Sequence, residues 1–132
     1  MEKLLTIRQV ATVTGLSVHT LRYYENIGLL CSIDRNENGY RCYSSADVTW
    51  IKFLTRLKAT GMSITKMLEI AELRRQGDST LTARRILLEE HYKEVQKKIM
   101  ELQNNLDLLA DKIVTYKEME NNYQLKQEFP SK

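Results

Sequence analysis

The chain has 132 residues, 20 Lys and Arg against 17 Asp and Glu, and a net charge of +3, which allows one domain, or one small domain with an extension. Two cysteines, Cys31 and Cys42, are too few for a disulfide framework and lack zinc-ligand spacing, and no apolar run approaches a membrane span. The whole charge excess lies in residues 1–60, with eight basic and five acidic side chains, a weak lean towards an anionic partner for that half.

Glu2 and Lys3 open the chain without an apolar signal region, so a soluble cytoplasmic protein is expected. Thr6 followed by Gln9 is a capping-box pair, and it predicts a first helix with Ile7, Val10 and Ala11 on its apolar side, ending near Thr14 and Gly15. Ser17 caps a second helix, Leu16 and Leu21 have hydrophobic-staple spacing, and Gly28-Leu29-Leu30 closes it. Leu21 and Tyr24 share one side of this helix, whereas His19, Arg22, Tyr23 and Asn26 recur at i, i+3, i+4, i+7 on another. Two short helices joined by a glycine-containing turn match the helix-turn-helix, whose second member enters the DNA major groove.

Asn38-Gly39 signals a hairpin turn between short strands around Ser32 to Glu37 and Tyr40 to Tyr43, with Arg35 and Arg41 on opposite arms. After a helix-turn-helix such a ribbon reads as a wing gripping phosphate; elsewhere it is a structural hairpin with two solvated arginines. Ser44 with Asp47 starts a third helix through Val48, Trp50, Ile51, Leu54 and Leu57, read as core, which ends at Gly61. Ser63 caps a fourth helix that Gly77 closes, with Met62 and Met67 at staple spacing, Ile64, Leu68 and Ala71 on its buried side, and Lys66 outward near its start.

From Asp78 to Phe129 there is neither Gly nor Pro, so one helix of about 40 residues is expected. Its apolar positions Leu88, Tyr92, Val95, Ile99, Leu102, Leu106, Leu109, Ile113 and Tyr116 alternate steps of four and three, a coiled-coil seam about 42 Å long. A single helix cannot bury that stripe, so the expected partner is a second copy. The pattern leaves parallel and antiparallel pairing open. His91 is expected beside the seam, either as a flanking polar residue or in a pocket with Tyr92. Residues 1–76 read as the DNA-binding domain, 77–120 as the dimerisation helix and 121–132 as a polar, frayed tail.

The succession Thr-Ile-Arg-Gln-Val-Ala (6–11), Leu-Arg-Tyr-Tyr-Glu-Asn-Ile-Gly-Leu-Leu (21–30), Asn-Gly-Tyr-Arg-Cys-Tyr (38–43) and Thr-Gly-Met-Ser-Ile (60–64) resembles the MerR family of bacterial transcription regulators. The segment 77–85 looks most like its small aldehyde- or thiol-stress branch. The resemblance implies a mainly α fold, a winged helix-turn-helix followed by a long coiled-coil helix, and an antiparallel homodimer. It also implies a promoter partner that is untwisted and kinked so that RNA polymerase can engage it, which is regulation through duplex shape. Carried over by position, it assigns DNA contacts to Ser17, His19, Thr20 and Arg22, with Tyr23 at the backbone. In the wing it assigns Arg35, Tyr40 and Arg41 to phosphate, with Asn38 and Gly39 forming the turn. Lys66, close to its helix start, reads as a phosphate contact or, more plainly, as a solvated lysine.

No cofactor or metal is expected, since no cysteine follows residue 78 to supply thiolate ligands or hold an iron-sulfur cluster. The aldehyde branch is expected to carry a third-helix cysteine about where Thr55 or Arg56 stands, a departure that touches the thiol mechanism. Cys31 and Cys42 flank the wing as candidate thiol switches, with Arg41 near enough in sequence to favour a thiolate; the plainer reading is a semi-buried Cys31 and an incidental Cys42. Two histidines, no nucleophile arrangement and no phosphate-cradling glycine loop argue against an enzyme. The chain therefore reads as a dimeric transcription regulator that distorts promoter DNA in response to a signal. The alternative is a DNA-bending architectural or excision-type protein without a role in polymerase recruitment.

Overall fold

The structure is a computed structural model that describes residues 3–30 and 33–129. Its order is α1 (Ile7–Thr14), α2 (Val18–Ile27), β1 (Asp34–Arg35), β2 (Arg41–Cys42), α3 (Ser45–Ala59), α4 (Ile64–Arg75), a 3-10 turn (Asp78–Thr80) and α5 (Leu81–Glu128). Two compact units divide it, Met1–His91 and Tyr92–Lys132.

The local signals become hydrogen bonds in the first unit. The Thr6 hydroxyl accepts the Gln9 N–H at 3.2 Å while Gln9 Oε1 accepts the Thr6 N–H at 2.8 Å, a complete capping box. Gly15 ends α1 at φ +77°, a left-handed conformation that lets its N–H reach the Ala11 carbonyl at 2.9 Å. Ser17, Ser44 and Ser63 cap α2, α3 and α4 through their side chains. The core forms where the apolar sides meet: Val10, Leu21, Tyr24, Tyr43, Ile51, Leu54 and Met67 are almost wholly buried. On α4 the buried side is centred on Met67, Ile70 and Ala71, with Ile64 and Leu68 only partly covered. Trp50 buries its ring and donates its indole N–H to the Leu29 carbonyl at 2.8 Å, which ties α3 to the exit of α2.

Three features depart from expectation. The strands are two residues long, with Arg35 opposite Arg41 in register, and Leu5 pairs with Tyr43 as an additional bridge. Among 121–132, where a frayed tail is expected, α5 continues to Glu128. Leu88 packs against the first unit's own core together with Leu87, so it is not a free seam position. The first unit accordingly takes in the start of α5. Its joint with α4 is polar: the Thr80 hydroxyl bonds the Leu73 and Gly77 carbonyls, and Arg84 donates to Thr80 Oγ1 and to the Gly77 carbonyl, both at 3.1 Å. His91 stands in this unit with Nε2 2.7 Å from Thr60 Oγ1, at the end of α3. No helix among the described residues is long and apolar enough to cross a membrane.

Tyr24 and Tyr43 hold buried hydroxyls with no hydrogen-bond partner among the described residues. Burial pushes the Tyr43 phenol above its ordinary range, and the nearby Glu25 charge adds to the shift. Below pH about 10 the phenol is protonated in both folded and unfolded chains; above it the unfolded chain ionises first, so stability falls with rising pH. Tyr43→Phe is expected to cost less than about 1 kcal/mol at neutral pH and to lessen that alkaline loss. Urea midpoints at neutral and alkaline pH check this; a neutral-pH loss above about 2 kcal/mol would mean that the hydroxyl is satisfied after all.

Candidate nucleic-acid interface

The exposed side of α2 follows from its cap and period. Ser17 ends the turn with its hydroxyl turned to Thr20, accepting the Thr20 N–H at 3.0 Å and donating to Thr20 Oγ1 at 2.9 Å. Leu21 and Tyr24 face the core, while His19, Arg22, Tyr23 and Asn26 are exposed, as their spacing predicts. Arg22 has no ion pair among the described residues. Its five donors are therefore available to a phosphate or a guanine edge.

The wing is built differently from a two-residue hairpin. Asn36 organises it: its carboxamide oxygen accepts the Asn38 and Tyr40 N–H groups at 2.9 and 3.0 Å, and its carbonyl accepts the Gly39 N–H at 2.9 Å. Gly39 supplies the left-handed residue at φ +80°, so the loop has the longer form in which a turn is followed by one such residue. Tyr40 stands 69 % exposed at its end.

Glu25, on α2, receives both wing arginines. Its carboxylate forms a close ion pair with Arg41 Nε and lies 3.7 Å from Arg35 Nη2. Arg35 also donates to the Gly39 carbonyl at 3.1 Å, and half of its side chain remains exposed, whereas Arg41 is four-fifths covered. Arg41 is thus held as a strut between helix and wing, and Arg35 keeps the freer fork. The positive charge expected to favour a Cys42 thiolate is held by Glu25. Cys42 itself is half-buried, with its thiol directed at the Tyr40 carbonyl at 3.7 Å. Cys31, the other candidate switch, lies outside the described residues.

A groove of about 530 Å³ brings Arg22 together with Asn36, Gly39, Tyr40, Arg41 and Cys42, and closes on the first turn of α1 at Thr6, Ile7 and Arg8. Arg8 is absent from the sequence expectations. A basic residue in a helix's first turn opposes the macrodipole, a signal that its charge serves something else. Asn38 lies in the wing turn outside the groove lining. Lys66 lies on α4 with a 3.4 Å surface pair to Glu69. Glu25→Gln is expected to release both wing arginines, steepen the salt dependence of duplex binding by about one unit of slope and lower promoter selectivity about fivefold. Salt titrations on promoter and scrambled duplexes check it; an unchanged selectivity ratio would remove Glu25 as the wing's anchor.

Comparison with known proteins fits this geometry. The family model for the MerR HTH family regulatory protein matches residues 5–77, from the strand-like residue Leu5 through both helices and the wing to the end of α4. The chain belongs to the MerR family. A second MerR model, described as DNA binding, matches residues 48–112. An HTH-type transcriptional regulator of Haemophilus influenzae is 39 % identical over 111 residues, covering 84 % of this chain and 82 % of the relative. The transcriptional regulator AdhR of Bacillus subtilis is also 39 % identical, over 64 % of this chain and 60 % of its own length. Among solved structures, HiNmlR, a MerR family regulator lacking the sensor domain and bound to promoter DNA, superposes with a TM-score of 0.82 at 36 % identity, covering 90 % of this chain and 94 % of that one. A MerR family regulator of Listeria monocytogenes gives 0.85 at 36 % identity, covering 93 % and 95 %. This MerR protein is accordingly a helix-turn-helix transcription regulator.

The second unit is helical from Tyr92 to Glu128 and leaves its stripe open. Ile99, Leu102, Leu106, Leu109, Ile113 and Tyr116 are each between 53 and 69 % exposed, Tyr92 is 64 % exposed, and Val95 is half-buried. So long a row of uncovered apolar side chains on one helix is an association surface.

Proposed function

We propose that the chain is a homodimeric regulator whose two reading helices bind promoter DNA and whose distortion of that duplex changes its use by RNA polymerase. The observation that carries this reading is the shared groove of Arg8, Arg22 and the wing, on a chain 36 % identical to a regulator solved on promoter DNA. Arg22, His19 and Tyr23 face the major groove and its edge, with Ser17 and Thr20 presenting the helix start. Arg35, Tyr40 and Arg8 take flanking phosphates, with Asn38 and Gly39 shaping the wing tip and Arg41 bracing it; Lys66 is a further phosphate contact on α4. The domain from residue 1 to 76 reads DNA, and the stripe from Tyr92 through Val95, Ile99 and onward to Tyr116 pairs antiparallel with a second copy. The protein works by binding rather than catalysis, in the cytoplasm. A footprint on the DNA upstream of its own gene tests this: two protected half-sites related by two-fold symmetry are expected, and protection without such symmetry would contradict it.

A further inference from the structure

A second groove, about 660 Å³, runs along α3 and the last turn of α4, lined by Thr49, Trp50, Lys52, Phe53 and Arg56 from the first helix and Arg74 from the second. On α3, Thr49, Lys52, Phe53 and Arg56 recur at three- and four-residue spacing, with Trp50 beside them, so they form one face. Its floor is aromatic: the Trp50 and Phe53 rings lie 5.8 Å apart between centroids and tilted by 40°. Arg74 places its guanidinium 4.5 Å over the Trp50 ring. A guanidinium stacked on an indole keeps its planar donors at its rim, where they can fork a carboxylate.

The charges around this floor are one-sided. No carboxylate lines the groove, and Lys52, Arg56 and Arg74 form no ion pair among the described residues. On α4, by contrast, Lys66 is paired with Glu69 and Arg75 with Glu72. Covering Trp50 accounts for Arg74, and the last turn of α3 favours a cation at Arg56, but neither accounts for Lys52 beside the same apolar floor. We infer that this groove binds a small organic anion with a flat apolar body, of which an aromatic carboxylate is the simplest. Its ring lies against Phe53 and the accessible edge of Trp50, and its carboxylate is forked by Arg74 and neutralised by Arg56 and Lys52. The volume is that of an ordinary small-molecule site. No bond is made or broken; the site is one of recognition, and it stands independently of the promoter reading.

Trp50 is the only tryptophan in the chain, so its emission reports on the groove directly. The full chain is titrated with benzoate as the probe, with benzamide supplying the ring without charge and acetate the charge without ring. Saturable binding of benzoate is expected with a Kd on the order of 1 mM or tighter, and binding of either control at least about tenfold weaker. Arg74→Met keeps an apolar cover on the indole, and it is expected to weaken benzoate about tenfold. The double variant Lys52→Gln, Arg56→Gln changes only exposed positions and is expected to weaken it similarly. Absence of saturation, equal binding of benzamide, or wild-type affinity in both variants would overturn the site. Promoter binding measured on the same samples separates the two readings: benzoate binding without promoter binding would sink the promoter reading and leave this site standing.

Discussion

Leu102→Asp is expected to convert the protein to a monomer and to abolish specific promoter binding. Leu102 is 69 % exposed on the described chain, near the middle of the stripe from Tyr92 to Tyr116. In a two-fold pair it would be buried, and each copy would place an unpaired carboxylate in an apolar seam. A buried charge without a partner costs about 3 to 5 kcal/mol, and symmetry introduces it twice, so dimer affinity falls by at least about a thousandfold. Trp50, in the core of the first unit, supplies the control: an unchanged near-ultraviolet signal shows that the reading unit is still folded. Sedimentation then gives the oligomeric state and fluorescence anisotropy the promoter affinity. A monomer that bound the promoter as tightly as the wild type would contradict the proposal that the seam sets the spacing of two reading helices.

Arg22→Ala is expected to lower promoter affinity by about 1 to 3 kcal/mol while leaving stability within about 0.5 kcal/mol. Arg22 is exposed, unpaired among the described residues and on the groove that also holds Arg8 and the wing, so its removal disturbs no packing. A salt titration distinguishes its two possible partners. Loss of a phosphate contact makes the salt slope shallower by about one, whereas loss of a base contact leaves the slope and relaxes selectivity at one position. Unchanged affinity for the promoter would show that the exposed side of α2 is not the reading side.

The parts legible in the sequence are those coded within a few residues. Thr6 with Gln9, Ser17, Ser44 with Asp47, and Ser63 each announce a helix start, because a cap needs a hydroxyl and an N–H only three positions away. The two sides of α2 are equally local, since Leu21 and Tyr24 lie one turn apart. Contacts across the chain were not legible. Glu25 sits inside an otherwise helical pattern, and nothing near it in sequence says that Arg35 and Arg41 will close on it. The Leu5–Tyr43 bridge and the bond between Thr60 and His91 join residues more than thirty positions apart and have no periodic signature. Arg8 carried a local hint, the wrong charge for a first turn, but only the folded wing shows what lies beside it. Within the wing, Asn38-Gly39 marked a turn correctly, yet its form depends on the Asn36 side chain accepting two backbone N–H groups.

Run-off transcription from the protein's own promoter decides whether binding alters promoter use. Purified RNA polymerase is supplied with that promoter, with and without the protein, while the bend of the same fragment is followed by energy transfer between its ends. Transcript yield is expected to change over the concentration range in which the fragment bends, and both changes are expected to be lost together in Leu102→Asp. A fragment that bends fully while transcript yield stays constant would rule out regulation through duplex shape.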